Sequence, residues 1–166
     1  DVFAAVEHCR HAGIDIKMLT GDNIITAKAI ATQLGILDDD HIAVEAKDVE
    51  NLSDEEFSEI IKKIRVIARS TPVIKMRVVK ALKAQGNVVA VTGDGINDAP
   101  VLMRADIGIA MGGVGSDAAI EASDIVLMKD DLKGISLAKR IAKKTMAIVF
   151  QNVVFSIAVK VAILIL

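Results

Sequence analysis

The sequence predicts an α/β fold, a parallel sheet with helices on both faces, followed by one long C-terminal helix. Short apolar runs that end in polar, glycine-containing turns recur along the first 131 residues, each with helical periodicity after it. One of these runs, Val88-Val89-Ala90-Val91, lacks any polar alternation, as expected of a parallel strand buried on both faces. From Leu132 onward there is no acidic residue, and the chain reads as a single apolar helix with a basic start.

In chain order, Val2, Val6 and Cys9 fall at helical spacing up to a stop at Gly13. Ile14 to Leu19 reads as a strand that ends in the turn Thr20-Gly21-Asp22-Asn23. Ala27, Ile30, Ala31 and Leu34 then share a helix face, with Gly35 as the stop. The acidic stretch 36–52 offers one short strand, His41 to Val44, and otherwise a loop. Ser53 and Glu56 have capping-box spacing and open a helix running to about Ile64. Val66 to Ala68 is a short strand. Thr71-Pro72 starts a helix closed by Gly86, with proline tolerated in the first turn. After Val88–Val91, the segments Ile107–Ala110, Asp117–Ala122 and Ile125–Leu127 give strand, helix and strand, with a glycine-rich loop at 111–116.

Composition narrows the function. The chain has 166 residues, enough for about one domain, and is 52% hydrophobic but only 2% aromatic, so a nucleic-acid stacking platform has little to work with. Cys9 is the single cysteine, which excludes an intrachain disulfide and a cysteine-clustered zinc site and suits a reducing compartment. Six of the 20 basic residues follow Asp131, so residues 1–131 carry a net charge of −8 and the tail is purely basic. Such asymmetry points to a membrane or an acidic partner at the tail. The chain opens inside a helical pattern, without a signal peptide, and reads as a piece of a longer polypeptide.

The chemistry concentrates in Thr92-Gly93-Asp94-Gly95-Ile96-Asn97-Asp98 at the end of the Val88 run. Strand C-termini are where ligands bind in open α/β sheets. Two acids this close, Asp94 and Asp98, repel unless a cation or basic partner intervenes, and magnesium takes one or two carboxylates plus phosphate oxygens. The alternative is a turn in which Asp98 or Asn97 caps the next helix. Convergence of successive strand ends brings the Thr20 turn to the same pocket, where its hydroxyl and the backbone of Gly21 suit phosphate oxygens. Asp22 is divided between capping the Ile24 helix and contacting ligand. Lys75 stands in a helix first turn, where a cation opposes the macrodipole unless an anion is near; as a lone lysine it is simply solvated.

These segments strongly resemble the phosphorylation domain of P-type cation-transporting ATPases, in the haloacid-dehalogenase-like superfamily with its Rossmann-type sheet. The resemblance extends through Ala105–Gly112 and Ala122–Leu127, essentially the whole chain. It implies that Asp94 binds the catalytic Mg2+, that Lys75 and Thr20 hold the transferred phosphoryl group, and that Asn97 contacts it. Asp98 supports the lysine and is a second possible metal ligand. ATP is the substrate of the full-length protein. The family's nucleophile motif Asp-Lys-Thr-Gly-Thr does not occur, and Asp38-Asp39-Asp40 does not replace it. Residues 1–131 are therefore expected to be a partial phosphorylation domain without its nucleophile strand, inactive alone and dependent on the remaining domains of the same polypeptide.

Residues 132–166 are expected to form a long helix with a basic flank, Lys139, Arg140, Lys143 and Lys144, and a membrane span at 146–166. That span covers ~31 Å at ~1.5 Å per residue, about the hydrocarbon thickness of a bilayer. The alternative is an amphipathic interfacial helix or a buried soluble helix. Asn152, Ser156 and Lys160 recur every fourth residue on one stripe, the expected ion path, since an intramembrane lysine needs a polar environment. The expected protein is integral to a membrane, with residues 1–145 cytoplasmic. Ile67–Pro72 resembles the calcium-pump branch. Gly115–Ala122 and the Gln151–Lys160 span resemble the branch that exports zinc, cadmium or lead, so the transported ion is a divalent cation of unspecified element. A soluble magnesium-dependent phosphatase of the same superfamily and a non-catalytic regulatory module are the alternatives.

Overall fold

The computed structural model describes residues 2–113, 115–129 and 131–165. The chain start at Asp1, the end of the expected span at Leu166 and position 114 of the glycine-rich loop lie outside the described residues. Helices α1 (Val2–His11), α2 (Ile24–Gln33), α3 (Ala46–Glu50), α4 (Asp54–Ile60), α5 (Pro72–Ala84), α6 (Ala99–Arg104), α7 (Asp117–Glu121) and α8 (Lys133–Ile165) alternate with six short strands. These are β1 (Met18–Leu19), β2 (Ile42–Glu45), β3 (Ile64–Ala68), β4 (Ala90–Gly93), β5 (Ile107–Met111) and β6 (Ile125–Leu127).

All strand pairings are parallel, in two three-stranded sheets with orders β1-β3-β2 and β4-β5-β6. The single sheet expected from sequence is thus divided, because β1 and β4 each pair on one side only among the described residues. Both faces of the first sheet are covered. Val66 and Ala68 of β3 pack on Ala27 and Ala31 of α2. Ile64 and Ile67 pack on the other side with Phe57, Ile61, Ile74 and Val78, from α4, its C-cap and α5. A register shift between Ile42 and Ala43, opposite Ile64 and Val66, lets Ile64 and Ile67 share a face despite their odd spacing. Val79 of α5 also meets Val89 and Val101, so one helix serves both sheets.

Local chemistry explains most boundaries. Ser53 and Glu56 form the expected capping box, with the Glu56 N–H donating to Ser53 Oγ at 3.2 Å and the Ser53 N–H donating to Glu56 Oε2 at 2.8 Å. Thr71 caps α5, and Gly86 beyond its end has φ +82°, a conformation suited to glycine. Several expectations are corrected. The strand at Ile14–Leu19 shrinks to Met18–Leu19, and α4 ends at Ile60 because Ile64 is already paired with Ile42. The loop expected near residue 46 is the short helix α3, opened by a capping box of Glu45 and Asp48. Asn23, not Asp22, caps α2, its Oδ1 accepting from the Thr26 N–H at 2.9 Å.

The largest correction concerns the Val88 run. Pairing begins at Ala90, Val88 is 80% exposed and Ala90 is exposed, so β4 is an edge strand rather than one buried on both faces. Helix α8 is unbroken for 33 residues and none of its residues is buried. Its N-terminal part packs along α1, where Lys139 Nζ donates to the Ala12 carbonyl at 2.7 Å and satisfies the end of that helix.

Candidate functional site

Three strand-to-helix turns build the site. The first follows β1. The Thr20 N–H donates to the Ile67 carbonyl at 3.0 Å and the Thr20 carbonyl accepts from the Ser70 N–H at 2.8 Å, so the β1–β3 pairing continues into both turns. Thr20 Oγ1 accepts from the Asp22 N–H at 3.1 Å, which leaves the hydroxyl proton available to an anion. The Asp22 carbonyl accepts from the Arg69 N–H at 3.0 Å, and the Arg69 guanidinium donates to the Gly21 carbonyl at 3.3 Å.

Arg69 was not singled out by sequence reasoning. Its φ is +51°, the one positive value among described non-glycine residues, a conformation that side chains other than those of Gly, Asn and Asp adopt at a cost. The strain sits where the β3–α5 turn grips the Thr20 turn from both backbone and side chain. Nothing in the local sequence Ala68-Arg69-Ser70 signals it, since arginine has no preference for this region.

The second turn launches α5, where Thr71 Oγ1 accepts from the Ile74 N–H at 3.3 Å and fixes the first turn that carries Lys75. Lys75 Nζ donates to Asp98 Oδ1 at 2.6 Å, with side chains 23% and 14% exposed. This contact explains the unusual placement of Lys75 noted from sequence: a carboxylate 23 positions away faces it. It also engages the Asp98 carboxylate. Although Asp98 is the residue before α6, its side chain makes no capping bond, and its charge is engaged by the lysine.

The third turn follows β4. A 3-10 turn at Ile96–Asp98 leads into α6, closed by the Asp98 N–H donating to the Gly95 carbonyl at 3.0 Å. Asp94 is held by its main chain, its carbonyl accepting from the Ser116 N–H at 2.8 Å, while Ser116 Oγ caps α7. The Asp94 carboxylate is exposed and has no hydrogen-bond or ion-pair partner among the described residues. Asn97 is exposed on the same turn. No group of three or more histidine, cysteine, aspartate or glutamate side chains positioned for a metal occurs among the described residues. One free carboxylate beside an engaged one fits Mg2+, which keeps waters and shares its shell with substrate phosphate, and does not fit a closed structural metal site.

The structure therefore joins Lys75 to Asp98, sets Asp94 and Asn97 on the turn that carries Asp98, and ties Thr20 and Gly21 to the turn that launches Lys75. It does not bring Asn152, Ser156 and Lys160 to this site: they lie exposed along α8. Two surface clefts of about 240 and 350 Å³ lie around α2, and neither includes Thr20, Lys75, Asp94 or Asp98.

Gly93 determines how closely the pair can sit. A Cβ there would lie 2.6 Å from the Asp98 Cβ, whereas one at Gly95 would find nothing nearer than Asp98 Oδ2 at 3.6 Å. Gly93→Ala is expected to push Asp98 off Lys75 and to destabilise the fold by about 1–3 kcal/mol, the range for forcing a methyl into filled space. Gly95→Ala is expected to be mild. Equal losses in denaturant unfolding would contradict this.

The family model for haloacid dehalogenase-like hydrolases matches residues 1–106. The chain belongs to that family. Its similarity to curated proteins runs further along the sequence than that match. It is 51% identical over 135 residues to calcium-transporting ATPase 2 of Schizosaccharomyces pombe, an alignment covering 81% of this chain and 10% of that protein. It is 44% identical over 170 residues to the plasma membrane-type calcium-transporting ATPase 12 of Arabidopsis thaliana, covering 99% of this chain and 16% of the relative. Among solved structures, a zinc-transporting PIB-type ATPase in its E2.Pi state superposes with a TM-score of 0.68 at 32% identity, over 90% of this chain and 20% of that one. The sequence thus spans a tenth to a fifth of the length of these relatives. As a haloacid dehalogenase-like domain, it matches transport ATPases from its first helix into α8.

Proposed function

We propose that this chain is the carboxyl-proximal part of the phosphorylation domain of an ATP-driven divalent-cation pump, continuing into a membrane helix. The observation that carries the reading is the Lys75–Asp98 pair beside the unpartnered carboxylate of Asp94 at the strand ends. The pump's nucleophile is a carboxylate on a strand outside this sequence. The free edges of β1 and β4 are suited to receive that strand, and each leads directly into one of the site's turns.

In the proposed reaction the nucleophile's oxygen bonds to the terminal phosphorus of ATP as the bridging oxygen departs with ADP. Charge spreads over the three transferred oxygens, and catalysis consists mainly of neutralising and positioning it. Lys75 supplies a fixed cation, oriented by Asp98. The Thr20 hydroxyl and the Gly21 backbone donate to phosphoryl oxygens, and Asn97 contacts the same group. Asp94 holds Mg2+, which when bound offsets phosphoryl charge; Asp98 is the second possible ligand.

Helix α8 is long and apolar enough to cross a membrane, and its exposed apolar length weighs against a soluble phosphatase. Lys139 links it to α1, so movement of the sheet domain has a direct route into the helix. Asn152, Ser156 and Lys160 are assigned to the ion path, with residues 1–145 cytoplasmic. The names of the relatives divide between calcium and zinc, as do the sequence signals, so the cargo is assigned as a divalent cation. Asp94→Asn in the full-length polypeptide is expected to abolish Mg2+-dependent phosphorylation while unfolding stays cooperative. Unchanged magnesium dependence would overturn the assignment.

A further inference from the structure

We propose that Arg140, Lys143 and Lys144 of α8 form a binding site for the phosphates of anionic phospholipids in the leaflet nearest the sheet domain. The proposal rests on the reading of α8 as a membrane helix. All three side chains are exposed and none pairs with a carboxylate among the described residues. Lys139, one residue away, behaves differently, since its ammonium is committed to the carbonyls of Ala12 and Gly13.

Position along the helix selects the ligand. At ~1.5 Å rise per residue, Lys144, Lys143 and Arg140 stand about 3, 4.5 and 9 Å outside Met146, the first residue of the apolar segment. The polar layer of one leaflet is about 5 to 8 Å deep. At ~100° per residue the three fall within an arc of about 100°, so one helix face presents two cations inside the headgroup layer and a third, Arg140, at its outer edge. Arginine adds a planar fork matched to a phosphate, and the two lysines reach the interface by extending along the helix. No acid follows Asp131 in the sequence, so nothing on α8 offsets this charge. Lys139, one residue before Arg140, bonds the end of α1, which places a bound headgroup near the junction that joins the sheet domain to the span.

The test uses the full-length polypeptide reconstituted into phosphatidylcholine vesicles with a minor fraction of phosphatidylserine. Lipids retained through gentle detergent extraction are quantified by mass spectrometry. Phosphatidylserine is expected to be enriched roughly fivefold or more over the bulk ratio, since each basic residue near an anionic surface contributes about that factor. Replacing Arg140, Lys143 and Lys144 together by glutamine is expected to return the ratio to bulk, while Lys133→Gln, about 20 Å from Met146 along the axis, leaves enrichment intact. No enrichment in the unaltered protein, or equal loss with Lys133→Gln, would overturn the site. Failure to resist alkaline extraction from the vesicles would instead overturn the membrane reading, and the proposal with it.

Discussion

Lys75→Met in the full-length polypeptide is expected to slow phosphorylation from ATP by about 10³-fold, the scale set by removing a charge that acts on a developing phosphoryl transition state. The loss has two sources. The cation itself disappears, and the Asp98 carboxylate, 14% exposed and 2.6 Å from the lysine, is left without its counter-charge. Because the residues act as a unit, Asp98→Asn in the Lys75→Met background is expected to cost far less than it does alone. Rapid-quench measurement with labelled ATP gives both numbers. Strictly additive losses would mean that the 2.6 Å contact has no part in the reaction.

Arg77→Ala is expected to be the most destabilising single change outside the site, by about 3 kcal/mol. The guanidinium of Arg77 is a hub. It donates to the carbonyls of Val49 and Glu50 at 3.0 and 3.2 Å, to that of Leu52, and to that of Ser53 at 3.0 Å. It also lies 4.4 Å from the centre of the buried Phe57 ring and 3.4 Å from Asp54. These carbonyls end α3 and begin α4, so one side chain on α5 satisfies the backbone of an entire helix junction. Arg77→Lys is expected to recover little, since a single ammonium cannot fork across carbonyls on both sides of the junction. Denaturant unfolding of the variants checks this, and a loss below about 0.5 kcal/mol, the range of ordinary surface substitutions, would contradict it.

Sequence revealed what depends on neighbours within a turn or two. The capping box of Ser53 and Glu56, the helix start at Thr71-Pro72 and the stops at Gly35 and Gly86 follow from side-chain reach and backbone freedom, and all are present. The Asp22–Asn23 choice was not legible, because both residues can cap a helix and the backbone angles decide between them. Helix α3 was hidden although Glu45 and Asp48 carry capping-box spacing, since its five residues show no apolar periodicity. The exposure of β4 could not be read either: an apolar run records that a strand is built to be covered, and what covers it is set by which strands pair.

Within the site, the turn chemistry of Thr20–Asn23 and Thr92–Asp98 was evident from residue types alone. Long-range partnerships were not. The Lys75–Asp98 contact, the grip of Arg69 on Gly21 and the hold of Ser116 on the Asp94 carbonyl all join residues more than 20 positions apart. The family resemblance implied that Asp98 stands by the lysine in the site, and in the structure its carboxylate bonds Lys75 and makes no capping bond to a helix terminus. For Arg69 only the structure gives the signal, a positive φ at a residue with no preference for it.

In the proposed function these turns serve phosphoryl transfer coupled to a cation. Its most direct test is acid-stable phosphoenzyme formed from labelled ATP by the full-length polypeptide, with magnesium present and calcium, zinc, cadmium or no second cation added. Label that appears only with one of these cations, and is lost with Asp94→Asn, is the predicted result and names the ion. Absence of label under every condition, from protein that is folded and binds ATP, would contradict the pump.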